Sequence, residues 1–362
     1  MTASERETLA RATERVSSRY DVGEVIGAAV LEGGMFLRPV LLTTTTGRYV
    51  LRAHTFRRTE ARFGFQAGLV EHAAAGGVRC ARVVRDRRGR WGEAVDGAFV
   101  ALHEYADGRL YTWPEWSARK REGFLRRLGG GVARVHDALA DARPVGDARL
   151  DPALPPIQFD RPGAARADYQ ARIAALREAR GAHASRARAA LLACAERVDG
   201  LFAWLGRAVE DLRLAAAGRQ AVHGDISPVN MVFAPDSEAF ALIDWDCARR
   251  EPRIYDALGD VLLRAPWDAP DDARQEEVAE YLAGYGETTA RPLTATERAG
   301  VPAFCVARQL EDLRQRLAVL PRLAESRDTE YAALVAMRLA CMERIVTRWA
   351  SQAGAGRWKE FP

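Results

Sequence analysis

Asparagine is almost missing from this chain: Asn230 is the single example in 362 residues. Lysine is nearly as scarce, at Lys120 and Lys359, so almost all of the 53 basic residues are arginine. With the abundance of Ala and Gly, this reads as the coding bias of a GC-rich genome, a background against which an isolated Asn stands out. The five cysteines, at 80, 194, 247, 305 and 341, make no CxxC pair. That spacing excludes a zinc-finger pattern and a disulfide framework and leaves buried thiols in a reducing compartment as the expectation. No run of 18 apolar residues occurs, and the opening MTASERETLARATERV is charged throughout. The expectation is a cytoplasmic protein without a signal peptide or a membrane span. Strong charge of one sign is also lacking. The net charge is +4, and stretches such as ARIAALREARGAHASRARAALL mix Arg with acids, the pattern of a solvated helix face and not of a nucleic-acid stripe.

What is present is ordinary globular composition, 48% apolar and 28% charged, in a chain long enough for two domains or one bilobed domain. The first third alternates with period two. VIGAAVL (25–31), FLRPVLLTTT (36–45) and RYVLRAH (48–54) read as strands, a helix fits 57–75, and ARVVRD, RWGEAV and AFVALHEY read as three more strands. A short polar helix over 5–17 precedes them. Beyond ADGRLYTWP (106–114) the spacing is helical: 117–140, 185–213, 254–264, 271–286, 295–320 and 329–350. A Pro-rich connector, 143–163, reads as irregular, and short strands are expected between 220 and 246. The expected class is α+β, with an N-terminal antiparallel sheet lobe carrying one helix (1–105) and a larger helical lobe (106–362).

The lone Asn lies in AVHGDISPVNMVF (221–233), and FALIDWD (240–246) follows. Phosphoryl transfer needs a carboxylate to orient and deprotonate the attacking hydroxyl, oxygen ligands for Mg²⁺, and a cation on the phosphates. Protein kinases meet this with H-R-D-x-x-x-x-N and then D-F-G after a hairpin. Here Asp225 and Asn230 keep the five-residue spacing. MVFAPDSEAFALI reads as strand, turn and strand, able to return Asp244 to Asn230. Asp225 is therefore the candidate base. Asn230 and Asp244 are candidate Mg²⁺ ligands, both hard oxygen donors. His223 is expected to hold the loop, Gly224 to allow its tight turn, and Asp246 to support the metal site, face the substrate or stay solvated.

HGDxxxxN followed by IDWD resembles the aminoglycoside phosphotransferase and choline kinase superfamily, small-molecule kinases of protein-kinase-like fold. The resemblance covers roughly 20–350. It implies that ALHEYADG (101–108) leads into a hinge where the backbone of Glu104 and Tyr105 meets the base of the nucleotide. It implies that His136 and Asp256 are structural, and that the loop LEGGMF (31–36), with Gly33 and Gly34, covers the nucleotide. The family expects a phosphate-contacting lysine on the third strand. Neither lysine is available, so Arg52 of RYVLRAH stands in, with Glu60 as its helix partner and Glu71 behind it. The implied donor is ATP or GTP with Mg²⁺. The implied acceptor is a hydroxylated small molecule, such as an aminoglycoside or other antibiotic, an amino alcohol, homoserine or a sugar. IDWDCAR followed by RIYDAL leans toward the homoserine-kinase-like members. An antibiotic-resistance kinase fits the same residues. A pseudokinase serving as a binding or regulatory module is the alternative, and it would be favoured by loss of Asp225, Asn230 or Asp244. A protein kinase is disfavoured by the Gly of HGD and the missing D-F-G and A-P-E segments. A metal-dependent hydrolase built on His223, Asp225, Asp244 and Asp246 lacks HxxxH or HxH spacing.

Overall fold

The β-branched and aromatic run from 25 to 54 forms three antiparallel strands, β1 (Val25–Val30), β2 (Val40–Thr44) and β3 (Arg48–His54). The computed structural model describes residues 3–31, 38–54, 59–95, 98–112, 115–116, 123–146, 157, 159, 161–178, 186–235, 239–258, 271–320 and 328–350. Gly33 and Gly34 and the tip of the 235–238 turn lie outside these residues, as does most of the 143–163 connector. The chain divides into two compact units. One comprises Met1–Tyr111, Ala138–Leu150 and Gln220–Arg250; the other comprises Thr112–Asp137, Asp151–Arg219 and Glu251–Pro362.

The first unit opens with α1 (Ala3–Arg19) and continues through β1–β3 into α2 (Glu60–Ala75), which starts where Thr59 accepts a hydrogen bond from the Arg62 amide. Then come β4 (Val83–Val84), β5 (Glu93–Val95) and β6 (Ala98–Glu104). The sheet runs β1-β2-β3-β6-β4, with β5 also paired to β6. Its two faces bury different sets of side chains because successive residues of a strand point to opposite sides. Leu51, Val100 and Leu102 join Ala12 and Val16 of α1, and Tyr20 just beyond it, in one core cluster. Phe99 and Ala101 join Phe63 and Ala67 of α2 in the other. Arg52 and His54 alternate with Leu51 and Ala53, so they stand on the α2 side, and the register sets Arg52 opposite Ala101 and His54 opposite Phe99.

In this unit also lie the end of β7 (Arg219–Val222) and the hairpin of β8 (Met231–Phe233) and β9 (Phe240–Leu242), paired Met231 to Leu242 and Phe233 to Phe240. β10 (Arg249–Pro252) follows.

The second unit is helical: α3 (Phe124–Ala138), α4 (Pro162–Glu178), α5 (Arg186–Ala193), α6 (Ala195–Asp211), α7 (Arg253–Ala257), α8 (Asp271–Thr288), α9 (Ala295–Ala299), α10 (Val301–Val319) and α11 (Asp328–Arg344). Two expected helices are broken. The run over 185–213 divides at Cys194, whose φ of −98° and ψ of 1° leave the helical region. The run over 295–320 divides at Gly300, where a Cβ would lie 2.7 Å from Leu214, and Pro302 supplies no amide to carry the ladder across. α4 falls where the sequence pattern reads as irregular and unassigned. As the resemblance implied, His136 is structural: its ring nitrogens meet the Tyr285 hydroxyl at 2.8 Å and the Asp256 carboxylate at 3.2 Å, all three buried. Among the described residues no helix is long and apolar enough to cross a membrane.

Candidate active site

The catalytic-loop candidates cluster around one asparagine. A short turn over Pro228–Asn230 delivers Asn230 to the start of β8. Its Nδ2 donates to the Asp225 carbonyl at 3.0 Å and to the Asp225 carboxylate at 2.8 Å. The Asn230 carbonyl accepts from the Ile243 amide at 3.0 Å, so the β8–β9 hairpin sets Asp244 one residue beyond Asn230's backbone partner. His223, fully buried, ties the loop together: its Nδ1 accepts from the Asp225 amide at 3.2 Å, and its Nε2 lies 2.9 Å from the Ile243 carbonyl. This pattern requires the proton on Nε2. Gly224 has φ +84°, and a Cβ there would come within 2.0 Å of the Cys247 carbonyl. Only glycine fits that turn. Asp244 adopts the left-handed region as well, at φ 61° and ψ 64°, a conformation costly for a residue with a Cβ.

Arg52, on β3, points its Nη2 at two carboxylates of this turn: Asp244 at 2.7 Å and Asp246 at 3.5 Å. Burial alone would lower the guanidinium's pKa; the charges of Asp244 and Asp246 outweigh it and hold Arg52 firmly cationic. Asp246 is buried, and its other oxygen takes His54 Nδ1 at 2.6 Å. Burial would raise the Asp246 pKa, but the charges of His54 and Arg52, with hydrogen bonds from His54 and Gln66, hold it well below the usual carboxylate range. His54 Nε2 in turn lies 2.9 Å from His103 Nε2. Burial, then the nearby charges of His54 and Arg52, push His103 well below 6.5, so it is neutral at physiological pH.

The expected partner of Arg52 is corrected here. Glu60 does not pair with it: the Glu60 carboxylate accepts from the Trp91 amide at 3.4 Å, and Glu71 lies 3.6 Å from Arg85. Glu60 sits at the first turn of α2, far along the helix from the buried Gln66 that reaches Asp246. The missed residues are therefore His54, Gln66 and His103. The i, i+2 spacing of Arg52 and His54 on RYVLRAH was the available signal, since it puts both on one face of β3. At the end of β6, Glu104 forms a two-pronged ion pair with Arg82, at 2.8 and 2.7 Å. The Glu104 amide donates to the Arg82 carbonyl at 2.8 Å and the Tyr105 amide to the Arg48 carbonyl at 3.0 Å.

The donor set suits a hard cation. Asp244 offers a carboxylate and Asn230 an amide oxygen, which receives no hydrogen bond from the described residues. No group of three or more His, Cys, Asp or Glu among the described residues is arranged as a metal cage. Mg²⁺ characteristically takes one or two protein ligands and completes its shell with phosphate oxygens and water.

The sequence profile of the phosphotransferase enzyme family (APH) matches residues 29–299. Among curated proteins, a homoserine kinase of Hyphomonas neptunium is 28% identical over 82% of this chain and 83% of its own length. A homoserine kinase of Granulibacter bethesdensis is 26% identical over 83% of each. Among solved structures, an aminoglycoside phosphotransferase from Alicyclobacillus acidocaldarius superposes with a TM-score of 0.63 at 16% identity, covering 94% of this chain and 96% of that one. A microcompartment-associated aminopropanol kinase does so with 0.64 at 19% identity, covering 95% and 99%. These likenesses give the fold as protein-kinase-like, an α+β fold with an antiparallel sheet and a mainly helical remainder. The family profile spans most of the chain, including the loop from His223 to Asp246, and the chain accordingly belongs to the phosphotransferase enzyme family as a small-molecule kinase acting on a hydroxyl group.

Proposed function

We propose that this kinase transfers the γ-phosphoryl group of ATP to the side-chain hydroxyl of homoserine or a closely related small amino alcohol. The observation that carries phosphoryl transfer is the hydrogen-bonded pair of Asp225 and Asn230, with Asp244 beside them on the hairpin and Arg52 against Asp244. Asp225 orients the acceptor hydroxyl and takes its proton as the new oxygen–phosphorus bond forms and the bond from the γ-phosphorus to the β-phosphate oxygen breaks, releasing ADP. Asn230, through its amide oxygen, and Asp244 hold Mg²⁺. The metal, when bound, neutralises the charge on the phosphates. Arg52 contacts the non-transferred phosphates, Gly33 and Gly34 belong to the loop over them, and His223 and Asp246 support the loop and the Arg52 pocket. Residues 1–105 form the nucleotide-binding part and 106–362 carry the catalytic loop and acceptor site. The base of the nucleotide packs at the end of β6; because the Glu104 and Tyr105 amides are both engaged, carbonyls there are its contacts.

Homoserine is favoured as acceptor because the homoserine kinases named above match this chain over four-fifths of both lengths, and IDWDCAR with RIYDAL leans the same way. Nothing favours the pseudokinase alternative, since Asp225, Asn230 and Asp244 are all retained. Product mass spectrometry tests the reading. Protein, Mg²⁺ and ATP or GTP are incubated with homoserine, aminopropanol, choline, aminoglycosides and sugars. Phosphohomoserine formed with ATP is the expected product. Phosphorylation of an aminoglycoside alone would replace the acceptor, and nucleotide binding without any transfer would favour the regulatory module.

A further inference from the structure

Among the described residues no helix carboxylate pairs with Arg52. In the proposed reaction Arg52 also stands to lose its nearer partner, because Asp244 turns to Mg²⁺. What then aims the guanidinium is Asp246. This carboxylate is 7% exposed, and it is fixed from the side opposite Arg52. One oxygen takes His54 Nδ1 at 2.6 Å, while the other is the one 3.5 Å from Arg52. Gln66 of α2 adds a further hydrogen bond. His54 is itself immobilised. It is fully buried, its ring lies 4.7 Å from that of Phe63, and its second nitrogen meets His103. Phe63 in turn stacks on Phe99 at 4.7 Å. A buried carboxylate keeps a fixed place only when its partners do.

We propose that His54 is a positioning residue of this kinase: through its Nδ1–H it holds Asp246 as the stationary carboxylate that keeps Arg52 aimed at the nucleotide phosphates, the role expected of an acid on α2. The inference rests on the reading of Asp244 as a metal ligand and Arg52 as a phosphate contact. Arg52 touches phosphates that are bound alike before and during transfer, so its misplacement appears in KM for the nucleotide and not in kcat.

Two kinds of replacement separate the hydrogen bond from the bulk. In His54→Asn the side-chain amide nitrogen falls where Nδ1 was, so the bond to Asp246 is kept. In His54→Phe the ring volume is kept and the bond is lost. His54→Phe is expected to raise KM for Mg-ATP about tenfold, as loss of an outer partner does, with kcat nearly unchanged. His54→Asn is expected to stay near wild type. His54→Gln, whose amide reaches toward His103 instead, replaces His54→Phe if the latter fails to fold, and is expected to match its KM. A folded His54→Phe or His54→Gln protein with wild-type KM overturns the proposal. So does His54→Asn failing as badly as His54→Phe, because imidazole packing would then be what matters. A second readout needs no turnover. In nucleotide-free protein carrying Asp244→Ala, which removes the nearer partner of Arg52, the Arg52 guanidinium resonance, assigned by its loss on Arg52→Lys, should show hindered rotation with His54 retained or with His54→Asn added, but free rotation with His54→Phe added. Absent turnover with this NMR pattern intact would count against the proposed reaction and not against the positioning. Hindered rotation persisting with His54→Phe added would sink the positioning whatever the enzyme phosphorylates.

Discussion

Asn230 donates one amide group to both the carbonyl and the carboxylate of Asp225, at 3.0 and 2.8 Å. The single asparagine of the chain therefore fixes the rotamer of the acid five positions before it, while its amide oxygen stays open to a cation. In the proposed reaction Asp225 acts only on the acceptor proton, so Asp225→Asn should lower kcat by about 10²–10⁴ and leave the calorimetric affinity for Mg-ATP unchanged. Wild-type turnover in this variant would remove Asp225 from the role of base.

Gly224 is under a double constraint, a φ of +84° and a Cβ position 2.0 Å from the Cys247 carbonyl. Gly224→Ala must move the 224–225 backbone away from the turn that follows Asp244. We expect a loss of roughly 2 kcal/mol or more in denaturant unfolding, and a fall in kcat on the order of a hundredfold from misplacement of Asp225. Full activity in Gly224→Ala would mean that the loop relaxes without moving the acid.

How much of this is legible in the sequence depends on sequence distance. Asp225, Asn230 and Asp244 lie within 20 residues, joined by a hairpin whose apolar strands are plain in MVF and FAL, so their meeting follows from local structure. The strands from Val25 to His54 are legible for the same reason. Helix α4 is obscured because Pro-rich sequence runs into it; yet Pro162 at its start and the buried Ala165, Tyr169 and Ile173 at four-residue spacing are a helix signal. The surroundings of Arg52 are the hardest to read. Its partners come from positions 244 and 246, and His54 meets His103 across β3 and β6, contacts that only the sheet register creates. Glu60 is the acid that family analogy selects, but it sits six residues, about 1.7 turns, before Gln66, the α2 residue that faces this pocket.

One source of acid sensitivity lies away from the site, at Asp86. Burial would raise its pKa, but the Arg90 and Arg88 amides and the Arg90 and Arg19 side chains bond its carboxylate and bring it down to about 2. Folding thus favours the ionised form. The stabilisation is complete above the unfolded value near 3.8 and disappears as pH falls through about 2. Asp86→Asn should cost on the order of 1 kcal/mol at pH 6, allowing for solvent screening around this loop. The difference from wild type should shrink as the pH is lowered from 4 to 2. A gap that stays constant over that range, measured by urea titration, would place the acid sensitivity elsewhere.

In the helical unit, Arg253 and Glu297 make a buried two-pronged pair, Nε to Oε1 at 2.8 Å and Nη2 to Oε2 at 3.1 Å, with 6% and 5% of their surfaces exposed. Arg253 also donates to the Thr289 hydroxyl at 3.3 Å and to the Pro292 carbonyl at 3.0 Å, so it joins the start of α7 to the segment that leads into α9. Glu297 also closes a reciprocal cap on α9 with Thr294. Removing the cation alone strands a buried carboxylate, and Arg253→Leu should therefore destabilise the fold by about 3–5 kcal/mol. Glu297→Leu strands the guanidinium and loses the cap, so it should be at least as harmful. The double variant removes both charges, and its loss should fall clearly short of the sum of the two single losses. Additive losses in a urea double-mutant cycle would mean that the two side chains stabilise the unit independently, through Thr289 and Pro292 on one side and the cap on the other, and that the ion pair between them contributes nothing of its own.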